Sequence, residues 1–239
     1  MKPLPGATSL LFVTAARKEA AAVLDALGGI SDLAGKPWVA HPTAAGPRVV
    51  ATGVGKAASA GGTAWVLDPT CDLLVVNLGV AGSLPGSGVE LGDVVIGTES
   101  VFADEGLVTD SGFLDIAALG FPPIPGASRS AIAGDVLGAE FAHGLGAHLG
   151  PVATVSTCSG TDGAAKSVAA RTGALAEAME GGAVGVVCAR AGVRFVEIRV
   201  ISNTTGDRQR QVWALDHALD RLGAVAGWLA THLNRGDAL

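Results

Sequence analysis

Short β-branched runs alternate with Ala-rich stretches along nearly the whole chain, and that alternation restricts it to one fold class. Leu10–Thr14, Arg48–Thr52, Leu73–Leu78, Asp93–Ile96, Val152–Thr157 and Phe195–Ser202 read as strands. Between them, Arg17–Leu27, Gly55–Leu67, Ala131–Leu149, Gly163–Arg171, Glu180–Ala191 and Val212–Leu233 read as helices. Leu73–Leu78 is apolar almost residue by residue, the pattern of a strand covered on both faces. Strand–helix alternation with short connections builds a largely parallel sheet with helices on either side. The expectation is therefore an α/β fold, a three-layer α/β/α sandwich around a mainly parallel, twisted central sheet. Ala103–Ser128 dissolves into Gly, Pro and Asp and is expected to be a loop or insertion, a candidate lid or interface. With no linker and no repeat, residues 1–239 read as one domain with a frayed polar tail, Asn234–Leu239.

Composition removes several classes of function. Hydrophobic residues make up 49% and charged residues 16%, the opposite of what keeps a chain disordered. Gly, Pro or a charge interrupts every apolar run before roughly 18 residues, so no membrane span is expected. The net charge is −6 and no basic block occurs, which argues against capture of nucleic acid or anionic lipid. Cys71, Cys158 and Cys188 form no CxxC, and His41, His143, His148, His217 and His232 form no HxxxH. No disulfide framework and no metal site is expected, only buried reduced thiols. The apolar stretch Leu10–Val13 is shorter than the roughly 7–15 residues of a secretory core, so the expected location is the cytoplasm.

In open α/β sheets ligands bind beyond the carboxyl ends of the strands. The residues to weigh are thus Ala15–Glu19, Gly53–Lys56, Gly79–Leu84, Cys158–Asp162, Asn203–Asp207 and the run Ala178-Met179-Glu180. Gly53–Ala58 has the form G-x-G-x-x-A of a dinucleotide fingerprint, a weak signal in a chain with 35 glycines. Glu19 is either a helix-start carboxylate or a functional one, and Glu180 either caps a helix or faces a site. Arg199 lies inside the apolar run Phe195–Ile201, where a guanidinium must have a carboxylate partner. Asn203 ends that run as a turn residue or as an amide facing the crevice.

Glu19, Gly53-Val54-Gly55-Lys56, Leu78-Gly79-Val80-Ala81-Gly82, Gly92-Asp93-Val94-Val95, Ala178-Met179-Glu180-Gly181 and Arg199-Val200-Ile201-Ser202-Asn203 follow one another in a single order. In that order they resemble the superfamily of purine nucleoside phosphorylases and methylthioadenosine/S-adenosylhomocysteine nucleosidases. Ile201-Ser202-Asn203-Thr204, Gly206-Asp207-Arg208 and Trp213 are similar to its futalosine-hydrolysing branch, which serves menaquinone biosynthesis. The resemblance implies a nucleoside phosphorylase-like fold, a cytoplasmic homo-oligomer (dimer or higher), a small-molecule nucleoside substrate, futalosine, and no metal or other cofactor. It implies that Glu19 activates water, that Arg199 holds that carboxylate and the water, that Glu180 accepts from the ribose hydroxyls and that Met179 packs on the sugar. Val80, Ala81 and Gly82 would form the next loop of the site, Gly160 and Thr161 would line the purine pocket, and Trp213 would close it.

Two features bear on the substrate. Adenine-releasing members carry Asp where this chain has Asn203. An amide can donate to O6 of hypoxanthine and accept from a protonated N7, whereas a carboxylate would face the lone pairs of O6. Arg208 or Arg210 is expected to meet the carboxylate of the futalosine tail. The first strand ends in Thr14-Ala15-Ala16, without the Gly-Asp-Pro stretch of the phosphorylases, and Val80-Ala81-Gly82 lacks hydroxyls for phosphate. Water is thus the expected nucleophile. A phosphate-dependent phosphorylase of 6-oxopurine nucleosides, a silent nucleoside-binding protein and an NAD-binding protein are the competing readings.

Overall fold

The computed structural model describes residues 9–30, 33, 37–135 and 137–233. In chain order they form β1 (Ser9–Thr14), α1 (Arg17–Ala26), β2 (His41–Pro42), β3 (Arg48–Ala51), α2 (Lys56–Val66) and β4 (Asp72–Ser83). β5 (Val94–Phe102) is followed by the hairpin β6 (Gly106–Thr109) and β7 (Gly112–Asp115). Then come β8 (Ala131–Ala133), α3 (Gly138–Leu145), β9 (Ala147–Thr154), α4 (Asp162–Thr172), β10 (Ala176–Ala178), α5 (Gly181–Ala191), β11 (Arg194–Thr204) and α6 (Leu215–Leu233).

One mixed sheet runs β10-β9-β5-β11-β4-β1-β3-β2, with β8 on the far half of β5. β3, β1, β4 and β11 are parallel neighbours. β5 reverses against β11, and β9 and β10 run parallel to β5 and to each other. Because β10 also pairs antiparallel with β4, the strands β4, β11, β5, β9 and β10 close into a ring. Successive side chains of a strand alternate between faces. Leu10 and Phe12 of β1 pack with Val23 and Leu24 of α1 and Leu222 and Leu229 of α6. Leu11 and Val13 face the opposite way, into a cluster with Val184 of α5 and Phe195. That two-sided burial is why the strand sequences are continuously apolar, and it gives the expected three layers.

The structure departs from the sequence expectations in several elements. Ala131–Leu149 is not one helix, since Ala131–Ala133 pairs with β5, Gly138–Leu145 is helical and β9 begins at Ala147. The Ala-rich composition suits a helix, but the edge of β5 offers Ala131–Ala133 backbone partners that propensity alone does not register. Ala103–Ser128 is not wholly loop, because it contains the β6–β7 hairpin. β4 and β11 extend past their expected ends, making Val80–Gly82 and Asn203 strand residues. α6 begins at Leu215 rather than Val212, because Trp213 bridges back to Asn203. The expected frayed tail, Asn234–Leu239, lies outside the described residues. No helix among the described residues is long and apolar enough to cross a membrane.

Candidate active site

A cavity of about 450 Å³ opens at the carboxyl ends of β1, β4, β10 and β11. That size suits a drug-sized ligand, for which pockets of about 300–1,000 Å³ are usual. Of the site residues that the resemblance implied, Glu19, Val80, Ala81, Gly82, Gly160, Met179, Glu180, Asn203, Arg208 and Trp213 line it.

Glu19 owes its position to the first turn of α1. Its side chain returns to the start of the helix, where Oε2 accepts from the backbone N–H of Ala16 at 2.7 Å and of Ala15 at 3.1 Å. Oε1 accepts from Val80 N–H of β4 at 2.9 Å. The carboxylate thus caps α1 and also forms cavity wall. Burial pushes its pKa above the usual carboxylate range, against the pull of the Ala16 and Val80 donors and the Arg199 charge. Gly79 makes this approach possible, since a Cβ there would lie 2.8 Å from Glu19 Oε1 and 2.6 Å from Arg199 Nη1.

Arg199 is fully buried behind the cavity and does not line it, which corrects its expected role as a partner of the water. Nor does it pair directly with Glu19. Its Nε donates to Glu197 Oε1 at 2.8 Å, its Nη2 to Asn77 Oδ1 at 2.5 Å, and its Nη1 sits 3.3 Å from Glu180 Oε2. Burial works against the Arg199 charge, but Glu197, Glu180 and Glu19 more than offset it and push its pKa upward. Burial likewise pushes the Glu197 carboxyl up, with Arg199 and the Ser100 hydroxyl opposing. Glu197 and Arg199 stand two residues apart on one face of β11, so their pairing follows from strand geometry.

Glu180 is the N-cap residue of α5, but its side chain does not cap the helix. Oε1 accepts from Gly55 N–H at 3.1 Å and Oε2 from Met179 N–H at 3.2 Å. The Gly53–Ala58 turn thus spends on Glu180 a backbone donor that a dinucleotide pyrophosphate would need. Asn203 Oδ1 accepts from Ser202 Oγ at 2.9 Å and its Nδ2 donates to Thr204 O at 2.9 Å. Among the described residues no acceptor meets the second Nδ2 hydrogen.

Three expectations at the rim need correction or sharpening. Thr161 is not on the cavity wall, because it serves as the N-cap of α4 and accepts from Ala164 N–H. Arg210 is likewise off the wall, held by Asp207 at 2.9 Å and Asp162 at 2.6 Å. Arg208 does line the cavity, its guanidinium 5.0 Å from the Trp213 ring centre and its Nη1 donating to Gln211 Oε1. No carboxylate pairs with Arg208 among the described residues.

Sequence reasoning missed Glu177 and Gln211, which are on the cavity wall with Val54 and Ser159 of the weighed segments 53–56 and 158–162. Glu177 accepts from Ser159 N–H and Oγ–H, both at 2.7 Å. Nothing in Ala176-Glu177-Ala178 reads as a strand, and only the pairing of β10 with β9 and β4 brings Glu177 to the site. Among the described residues no group of three or more His, Cys, Asp or Glu is placed to hold a metal ion.

A family model described as "Phosphorylase superfamily" matches residues 39–229. The futalosine hydrolase of Acidothermus cellulolyticus is 37% identical over 214 residues, 89% of this chain and 86% of that protein. The futalosine hydrolase of Streptomyces coelicolor is 35% identical over 234 residues, 92% of this chain and 94% of that protein. Among solved structures, the 5′-methylthioadenosine/S-adenosylhomocysteine nucleosidase of Helicobacter pylori superposes with a TM-score of 0.73 at 22% identity. That match covers 95% of this chain and 97% of the nucleosidase. The native futalosine hydrolase of Helicobacter pylori gives a TM-score of 0.71 at 21% identity, covering 94% of this chain and 96% of that one. At such identities the structural likenesses speak for the fold.

Proposed function

The chain belongs to the phosphorylase superfamily, and from that membership and the cavity we infer that it is a nucleosidase hydrolysing the N-ribosidic bond of futalosine. The products are hypoxanthine and dehypoxanthine futalosine. The observation that carries water as the nucleophile is the seat of Glu19. The backbone donors of Ala15, Ala16 and Val80 are all occupied by its carboxylate and so are not free to cradle a phosphate. An anion seated there repels phosphate and accepts a proton from water.

In the proposed reaction, water adds to C1′ and gives its proton to Glu19. The C1′–N9 bond breaks, its electron pair leaves with the purine, and a proton from solvent water adds at N7 to give neutral hypoxanthine, while Glu19 returns its proton to solvent. Glu180 accepts from the ribose hydroxyls, and its charge favours the cationic sugar of the transition state. Arg199 acts as a positioning residue, holding Glu180 against Gly55 and Met179. Asn203 donates to O6 and accepts from N7 once that nitrogen carries a proton. Met179 packs on the sugar, Val80, Ala81, Gly82 and Gly160 line the base and ribose space, and Trp213 closes it. Arg208 meets the carboxylate of the futalosine tail, as its uncompensated charge at the rim suits it to do. The same proposal takes residues 1–239 as one domain of a cytoplasmic homo-oligomer working in menaquinone biosynthesis. Exposed Val54, Val108 and Phe121 offer apolar surface for a subunit contact.

The test is hypoxanthine release from futalosine with and without phosphate. Fast release independent of phosphate is expected. Release only with phosphate, yielding a sugar phosphate, would overturn the reading.

A further inference from the structure

We propose that Glu177 reads the purine by accepting its N1–H, beside Asn203 at O6, and so makes the cavity selective for 6-oxopurines. This rests on the nucleosidase reading of the same cavity. β10 lies on one side of β4 and β11 on the other. In register, Glu177 stands opposite Gly82, and Asn203 stands opposite the same Gly82. Directly paired residues share a face of the sheet. On the other face at this point Ala176 and Ile201 pack with Val95 and Val152 in a small core. Glu177 and Asn203 therefore flank a strand position that has no side chain. A Cβ on Gly82 would lie 2.9 Å from Asn203 Nδ2 and 2.8 Å from Thr205 Cγ2, filling the gap. Neighbouring strands are about 4.8 Å apart, so the two side chains rise about 10 Å from each other across a slot that suits the edge of a purine.

The chemistry of Glu177 calls for a donor in that slot. Its side chain is buried, and among the described residues no cation forms an ion pair with it. Ser159 N–H binds Oε1 and Ser159 Oγ–H binds Oε2, leaving each oxygen further acceptor capacity. A buried carboxylate gains from every additional donor, and a ligand N–H supplies one. A 6-oxopurine presents O6 as acceptor next to N1–H as donor. Asn203 and Glu177 match that pair, amide donor to O6 and carboxylate acceptor to N1–H. A 6-aminopurine reverses both atoms and sets the N1 lone pair against the carboxylate. If Glu177 served only to fasten Ser159 to β10, its loss would weaken both classes of substrate alike.

The experiment compares wild type with Glu177→Gln, first by calorimetric binding of hypoxanthine and 1-methylhypoxanthine. It then compares kcat/KM for futalosine and for its 6-amino analogue, aminodeoxyfutalosine. Loss of one hydrogen bond to a charged group corresponds to about 10- to 100-fold, so wild type should prefer hypoxanthine by that factor. In Glu177→Gln the preference should collapse, and kcat/KM should fall for futalosine but hold or rise for the amino analogue. Equal losses on both substrates overturn the proposal, as does a methyl penalty that persists in the variant and so reflects bulk alone. If the variant does not fold, the wild-type comparison decides, with equal binding of the two bases refuting it. Absence of futalosine cleavage by wild type would defeat the nucleosidase reading instead, and the free-base comparison would still test Glu177.

Discussion

Replacing Glu19 by Gln separates the chemistry of this carboxylate from its structural work, because the two predict different sizes of effect. The amide oxygen can still accept from Ala15 and Ala16, but the NH₂ then confronts the Val80 N–H, donor against donor. One buried hydrogen bond left unmade costs about 1–3 kcal/mol. In a chain of this size that lowers Tm by about 2–12 °C, leaving a folded protein at room temperature. Loss of the general base should be far larger in rate, about 10²- to 10⁴-fold in kcat. Burial raises the Glu19 pKa, so the active, ionised form appears only above the usual carboxylate range. Wild-type kcat/KM should therefore fall on acidification along a limb lying above the usual carboxylate range. For stability the sign is opposite. A carboxyl whose pKa is raised on folding stabilises the fold below its unfolded pKa, and that contribution is lost as pH rises through the folded value. The Tm of wild type should thus decline relative to Glu19→Gln over that rise. Hypoxanthine release at saturating futalosine, paired with thermal unfolding across pH, reads both quantities. A Glu19→Gln enzyme within tenfold of wild type would refute the assignment of Glu19 as base.

Further outcomes follow from the same geometry. Arg199→Met leaves Glu197 and Glu180 buried without their cation, which should cost about 3–5 kcal/mol and be seen as a large drop in Tm; an unchanged Tm would contradict the pairing. Asn203→Asp should shift kcat/KM toward the 6-amino analogue by at least about tenfold, since the new carboxylate faces O6 in one substrate and an NH₂ donor in the other. Arg208→Ala should raise KM for futalosine about tenfold while leaving inosine, which lacks the tail, unaffected. Arg210→Ala should leave both KM values unchanged, because Asp162 and Asp207 already hold that guanidinium on the surface; the reverse pattern would exchange the two roles.

The parts of this site that the sequence revealed are those where one residue type carries a demand its neighbours cannot meet. Arg199 in an apolar strand requires a carboxylate, and Glu197 two residues earlier on the same face is the partner that period-two geometry supplies. Glu19 three residues into a helix and Glu180 before small residues were likewise visible. The partner expected for Arg199 was Glu19, and long-range topology decided otherwise. Glu180 comes from β10 and α5, which the ring closure folds against β11, while backbone donors from β1 and β4 take Glu19. β10 itself was invisible because three residues reading Ala-Glu-Ala have little strand propensity and gain their conformation from pairing on both sides. Glu177 was lost with it. Thr161 and Arg210 failed for a different reason. Each sits next in sequence to a cavity residue, but a local cap or a surface ion pair turns the side chain away.

Charge ties the separate residues into one mechanism. Glu19, Glu180 and Glu197 surround a single buried guanidinium, Arg199, and Glu177 adds a further carboxylate on the cavity wall. At an effective dielectric constant of about 20, two unit charges some 6 Å apart interact by about 3 kcal/mol. A surplus of negative charge at that range acts twice. It stabilises the positive charge that grows on the ribosyl carbon, where each 1.4 kcal/mol or so is worth about tenfold in rate. It also raises the free energy of a phosphate dianion in the same place by a comparable amount per charge, so the nucleophile that remains is neutral water. The cation that lines this cavity among the described residues, Arg208, is exposed beside Trp213, and in the proposed reaction it meets an anionic substituent carried by the sugar. Hydrolysis over phosphorolysis, and a substrate with an acidic tail, are on this reasoning two consequences of where one fold puts its charges.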